Sequence, residues 1–211
     1  MVSQSREDAA GVTRQRLLDT ALALFADAGP DGVTMKQVAL QAGVTHGALY
    51  WHFRNKQDLL NQLYQQTELP FERHYLEQRQ AVQQDALGAL ENYVRGSLSE
   101  LVRQPQARQV YRLFHYGRAR SRELASLQKL LDAEVESWRQ SLRFFLKQAR
   151  KQKQLRKKLD LDQLALSLLT GLIGALDLWI SAPALCDLDA QADYLLAIQL
   201  EGLRNLKPSM V

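Results

Sequence analysis

Cysteine occurs once in the chain, as Cys186, so no intramolecular disulfide can staple the fold and a reducing cytoplasm is the expected home. Histidine is nearly as scarce. Of the four, His46 and His52 fall in one short segment, and no His/Cys/Asp cluster stands at metal-ligand spacing. A Gly-rich phosphate loop and a G-x-S-x-G elbow are both missing. The expectation is therefore no catalytic residue, no metal and no cofactor. Residues 1–12 are polar and lack the apolar core of a signal peptide, which reads as a flexible N-terminal arm. The uncharged run from Gln163 to Leu176, bounded by Asp162 and Asp177, has fourteen residues, short of the roughly 20 that span a bilayer. No membrane partner is expected.

What is present is helical periodicity, and no segment alternates like a strand. With 211 residues, 46% hydrophobic, the chain has the composition of a soluble globular protein of one or two domains. The pattern predicts an all-α fold of about nine helices, at 13–28, 34–42, 45–52, 56–80, 84–103, 106–117, 122–154, 160–182 and 189–206. Gly29-Pro30-Asp31-Gly32 separates the first two, and Pro70 is expected to kink the fourth. The domain reading is an arm at 1–12, a helix-turn-helix DNA-binding domain at 13–60 and a ligand-binding and dimerisation domain at 61–211.

The densest information lies between Gly43 and Lys56. Gly43 can take the left-handed conformation that ends a helix, Thr45 can cap the next one, and Val44 and Leu49 are spaced to bury against the preceding helix. That is the spacing of a helix-turn-helix. His46, Gly47, Ala48, Tyr50, Trp51 and His52 cannot all hide behind so short a helix. Gly47 and Ala48 let its backbone approach base edges, and Thr45 and His46 offer hydrogen bonds at its N-terminus. Tyr50, His52 and Lys56 are placed to grip the flanking phosphates. From Thr34 to Gln57 the only charges are Lys36, Arg54 and Lys56, whereas residues 1–60 balance six Lys/Arg against six Asp/Glu. The basic face is local. The expected DNA-binding set is Thr34, Lys36, Thr45, His46, Gly47, Ala48, Tyr50, Trp51, His52 and Lys56.

The stretch from Thr13 to about Leu60 resembles the DNA-binding domain of the TetR/AcrR family of bacterial transcriptional regulators. The likeness rests on Leu-Leu-Asp-x-Ala-x-x-Leu-Phe at Leu17–Phe25 and Ala-Gly-Val-Thr-x-Gly-x-x-Tyr-x-His-Phe-x-x-Lys-x-x-Leu at Ala42–Leu59. It covers roughly a quarter of the chain. The resemblance implies a ligand-responsive repressor bound to a palindromic double-stranded operator, and the residue order and body length look most like the branch that controls multidrug efflux pumps, with a small apolar or aromatic inducer.

In the body, Ala165, Leu169, Ile173 and Ile180 mark one apolar line and Leu168, Leu172, Leu176 and Trp179 another. Between them runs a small or polar stripe of Gln163, Ser167, Thr170, Gly174, Asp177 and Ser181. With Leu188, Ala192, Leu196, Leu200 and Leu203, the helices at 160–182 and 189–206 can pair with their copies as a four-helix bundle, and TetR-like proteins dimerise this way. The family implies an effector pocket in this domain, and its candidate lining is Tyr111, Phe114, His115, Trp138, Phe145 and Trp179. The acid-free basic run from Lys147 to Lys158 reads first as a solvated helix end. Three other readings stay open: a regulator of lipid or other metabolism with an acyl-type ligand, a ligand-independent DNA-binding factor, and a helical protein that never touches DNA.

Overall fold

Three side-chain caps punctuate the first third of the chain. Thr34 accepts from the Gln37 backbone N–H, Thr45 from that of Ala48, and Asn55 from that of Asp58, and each opens a helix. The structure is a computed structural model that describes residues 2–118 and 121–205, with the side chains of 9–118 and 121–202. Its helices are α1 (Val2–Ala28), α2 (Met35–Gln41), α3 (His46–His52), α4 (Lys56–Gln66), α5 (Phe71–Ala81), α6 (Ala86–Arg103), α7 (Pro105–Tyr111), α8 (Gln128–Lys151), α9 (Leu161–Ser181) and α10 (Leu188–Asn205). No strand occurs among the described residues.

Contacts divide the chain into two units, Met1–Glu68 with Gln106–Leu131, and Leu69–Pro105 with Asp132–Val211. In the first, Leu17, Leu18, Ala21, Leu22 and Phe25 form the buried stripe of α1. They share a core with Val38, Ala39, Leu49, Phe53, Leu59, Leu60 and Leu63. Beyond α7 the backbone widens into a π turn at Arg112–Tyr116, which brings Phe114 edge-on to Tyr64 of α4, ring centroids 5.4 Å apart. In the second unit, Tyr93 of α6 stacks on Phe145 of α8 at 5.4 Å, and Phe71 of α5 packs on Trp138 at 4.4 Å. Gln152 and Gln154 reach across to the start of α6, where their carbonyls accept from the Ala86 and Leu87 N–H groups.

Three helix boundaries differ from the sequence expectation. The segment read as an arm is helical from Val2, because no proline interrupts it, and the Thr13 hydroxyl donates back to the Ala9 carbonyl at 2.9 Å within the same helix. The expected kinked helix at 56–80 is two helices. Thr67 turns extended (φ −106, ψ 135) and ends α4, and Pro70, which has no N–H to continue a helix through the break, stands at the N-cap of α5. The division between units falls in this break, between Glu68 and Leu69. Residues 122–127, expected inside a long helix, are instead a turn and a short 3-10 segment that buries Leu124 and Leu127.

α9 is long and apolar enough to cross a bilayer by length and composition alone. Its inner face, Leu164, Ala165, Leu168, Leu169, Leu172, Leu176 and Trp179, is nevertheless buried in the second unit, as expected of a core helix. The polar stripe Gln163, Ser167, Thr170, Gly174 and Ser181 is exposed. On α10, Leu188, Ala192, Leu196 and Leu200 are buried, and the Leu203 side chain lies outside the described residues.

Candidate nucleic-acid interface

α2 starts with a reciprocal cap: the Thr34 hydroxyl accepts from the Gln37 N–H at 3.2 Å, and the Gln37 carbonyl accepts from the Thr34 N–H at 2.7 Å. The helix ends at Gly43, whose φ of +65 admits glycine without strain. The reversed chain is closed by the Val44 N–H donating to the Ala39 carbonyl at 3.0 Å. α3 then begins on the Thr45 cap, and Leu49 and Phe53 are fully buried beneath it. Burying side chains of this size contributes about 1.5–3 kcal/mol each, which fixes which face of α3 turns outward.

That outward face and the exposed start of α2 carry most of the expected set. Thr34, Lys36, Thr45, His46, Gly47, Tyr50 and Trp51 are exposed, Trp51 by 74%, and Ala48 and His52 are half-buried. His46 meets Tyr50 edge-on at 4.7 Å, and Trp51 meets His52 edge-on at 4.6 Å. Partial burial and the nearby Arg14 charge hold the His52 imidazole below its ordinary pKa, so at neutral pH it is an uncharged hydrogen-bonding ring. The arrangement presents donors, small residues and aromatic edges on the exposed face of a short helix, as major-groove reading requires.

Lys56, expected to grip the flanking phosphates, is half-buried and already engaged. Its side chain is 19% exposed, and its ammonium donates to the Pro30 carbonyl at 2.8 Å and pairs with Glu123 at 3.0 Å.

Sequence spacing missed the residues that hold this face in place. Arg14 of α1 donates to Gln62 of α4 at 2.7 Å and lies over the Phe53 ring. Asp58 accepts from the Arg54 N–H at 2.8 Å while its own N–H donates to the Asn55 side-chain oxygen at 2.8 Å, which ties the turn into α4. Its carboxyl is held low chiefly by the Gln62 amide and then by that Arg54 N–H. Asp31 is held low chiefly by the Ser121 hydroxyl, with the Arg122 N–H and the Lys56 charge assisting. Only the Asn55-x-x-Asp58 spacing was a readable signal. The others join residues far apart in the chain.

The aromatic residues expected to line an effector pocket fall in different units. Tyr111, Phe114 and His115 belong to the first, where Tyr111 stacks on His115 at 5.6 Å. Trp138, Phe145 and Trp179 belong to the second, all buried. A cavity of about 310 Å³ in the first unit opens between the last turn of α1, the Pro30–Asp31 turn and the π turn, and touches none of Tyr111, Phe114 or His115. Within the basic run, α8 stops at Lys151, and Lys147, Lys151, Lys153, Arg156, Lys157 and Lys158 are exposed.

Comparison with known proteins agrees with this geometry. Residues 17–63 match the model of the bacterial regulatory proteins of the tetR family, and residues 85–205 match that of the C-terminal region of MAATS-type transcriptional repressors. The HTH-type transcriptional regulator AcrR of Shigella flexneri is 29% identical over 190 residues, 90% of this chain and 88% of that protein. The crystal structure of NalD, the secondary repressor of the MexAB-OprM multidrug efflux pump in Pseudomonas aeruginosa, superposes with a TM-score of 0.76 at 27% identity, covering 95% of this chain and 100% of NalD. A complex of SmeT with triclosan superposes with a TM-score of 0.72 at 27% identity, covering 90% and 91%, and SmeT is the repressor of the Stenotrophomonas maltophilia efflux pump SmeDEF.

Proposed function

The chain belongs to the TetR family of bacterial regulatory proteins, and from that premise we propose that it represses a multidrug efflux operon as a homodimer and leaves its palindromic operator when a small apolar or aromatic inducer binds. The observation that carries the reading is the exposed face of α3, capped by Thr45, turned outward by the burial of Leu49 and Phe53, and free of acids. On this reading Thr45, His46, Gly47 and Ala48 approach the base edges. Thr34, Lys36, Tyr50, Trp51, His52 and Lys56 serve the flanking backbone. The likeness to AcrR, NalD and SmeT over about nine-tenths of the chain supports the efflux assignment and a cytoplasmic regulator.

One short recognition helix reads few bases, and a second copy supplies the other half-site. The exposed stripe of α9 and the apolar side chains beside it, Leu166 and Leu178, support pairing through α9 and α10, as do Tyr194 at 67% and Ile198 at 72% exposure. On this reading the inducer is taken up in the second unit, among the buried aromatic side chains Trp138, Phe145 and Trp179. Its binding energy favours a body conformation in which the two heads no longer fit adjacent grooves, so DNA affinity falls by linkage.

Footprinting on the DNA upstream of the protein's own gene tests this. Two symmetric protected half-sites about one helical turn apart, lost on addition of triclosan as the first probe, are the expected result. An absence of any protected dyad contradicts it.

A further inference from the structure

Lys56 begins α4, four residues after the last residue of α3 and directly after Asn55, which caps α4, so its ammonium belongs to the basic end of the proposed DNA-reading face together with the exposed Arg54. That charge is already engaged. The partner carboxylate, Glu123, is itself only 34% exposed and comes from a strap of residues 121–127. The strap is tied to the head elsewhere too. The Arg122 N–H donates to Asp31 at 3.2 Å, and the Gln57 amide donates to the Ser126 hydroxyl. The strap lies within Gln106–Leu131, the second stretch of chain that belongs to the first unit.

A carboxylate 3.0 Å from an ammonium cancels most of the field that the ammonium would project onto a phosphate. If Lys56 swings to a phosphate, Glu123 is left with its charge uncompensated beside a polyanion. In both arrangements the Glu123 charge opposes binding.

We infer that Glu123 competes with operator phosphate for Lys56, an electrostatic latch that weakens the DNA affinity of the free protein. This rests on the reading of α3 and the start of α4 as the DNA-binding face. Glu123 acts through Lys56, as a positioning residue. Glu123→Gln removes the charge while keeping shape, and the Pro30 carbonyl, Asp31–Arg122 and Gln57–Ser126 contacts remain to hold Lys56 and the strap.

The test is fluorescence anisotropy of the full-length protein on DNA from upstream of its own gene, across potassium chloride concentrations, for wild type, Glu123→Gln, Lys56→Met and the double variant. Thermal unfolding of each variant serves as the folding control. Glu123→Gln is expected to bind about three- to fivefold tighter at low salt. Its log–log salt slope is expected to be steeper by about 0.9, the signature of one more phosphate neutralised. In the Lys56→Met background the same substitution should leave the slope unchanged. Wild-type binding that Glu123→Gln does not tighten, or an equal slope change in both backgrounds, overturns the latch alone. Wild type without sequence-selective binding overturns the DNA-binding reading itself, and the latch with it.

Discussion

Arg14 and Phe53 join the first helix to the end of the recognition helix: the guanidinium carbon lies 5.8 Å from the ring centroid while the same group donates to Gln62 at 2.7 Å. One side chain therefore braces α1, α4 and the residue that closes α3. Arg14→Ala is expected to cost about 1 kcal/mol of stability. Arg14→Lys should restore the charge without the fork that satisfies both partners. Chemical denaturation measures the loss, and DNA affinity should fall in parallel because the α3 end is less well held.

Lys153 closes α8 in the left-handed conformation, φ 63, with the Gln154 N–H donating to the Ala149 carbonyl at 2.9 Å and the Lys153 N–H to that of Arg150 at 3.2 Å. A side chain there costs about 1 kcal/mol relative to glycine. Lys153→Gly is expected to raise stability by about that amount in a urea titration. An unchanged midpoint contradicts the strain.

Gly174 lies on the exposed stripe of α9, and a Cβ added there meets nothing within 4 Å in the protomer. Gly174→Arg should leave the protomer fold intact, with unchanged helical circular dichroism. On the proposed pairing through α9 and α10, light scattering should show a monomer where the wild type shows a dimer. A dimer that survives places the subunit interface elsewhere.

Asp31 has a carboxyl pKa held below its ordinary value. A depressed acid stabilises the fold above its unfolded pKa, and that contribution disappears as pH falls through the folded value. Below about pH 4 the ties between the Pro30–Asp31 turn and the strap should weaken. Asp31→Asn should flatten the acid limb of a stability-against-pH curve while lowering stability at neutral pH. An unaltered limb contradicts the role given to this carboxylate.

The helix-turn-helix was legible because its determinants are local. Gly43, Thr45 and the buried spacing to Leu49 lie within one turn or two of each other, and each has a single physical job. The break at Thr67–Pro70 was half-legible. Proline announces an interruption, but whether a helix bends or stops depends on where Thr67 and Leu69 find partners, which spacing does not encode. The strap was illegible, since the pairing of Lys56 with Glu123 and of Asp31 with the Arg122 N–H joins side chains that no periodicity relates. The aromatic stripe around Trp138 and Phe145 reads correctly as apolar, yet its division from Tyr111 and Phe114 follows from the chain path through α7, which residue pattern does not reveal.

The most direct test of the central claim is salt-dependent binding of the wild type and of Tyr50→Ala to DNA upstream of the protein's own gene, with an unrelated duplex as reference. Tyr50 is exposed on α3 beside His46, so its loss removes no core packing. Tight, salt-sensitive binding that prefers the upstream DNA and is lost in Tyr50→Ala is the predicted result. Equal binding to both duplexes, or selective binding that Tyr50→Ala leaves untouched, would contradict the assignment of α3 as the recognition helix.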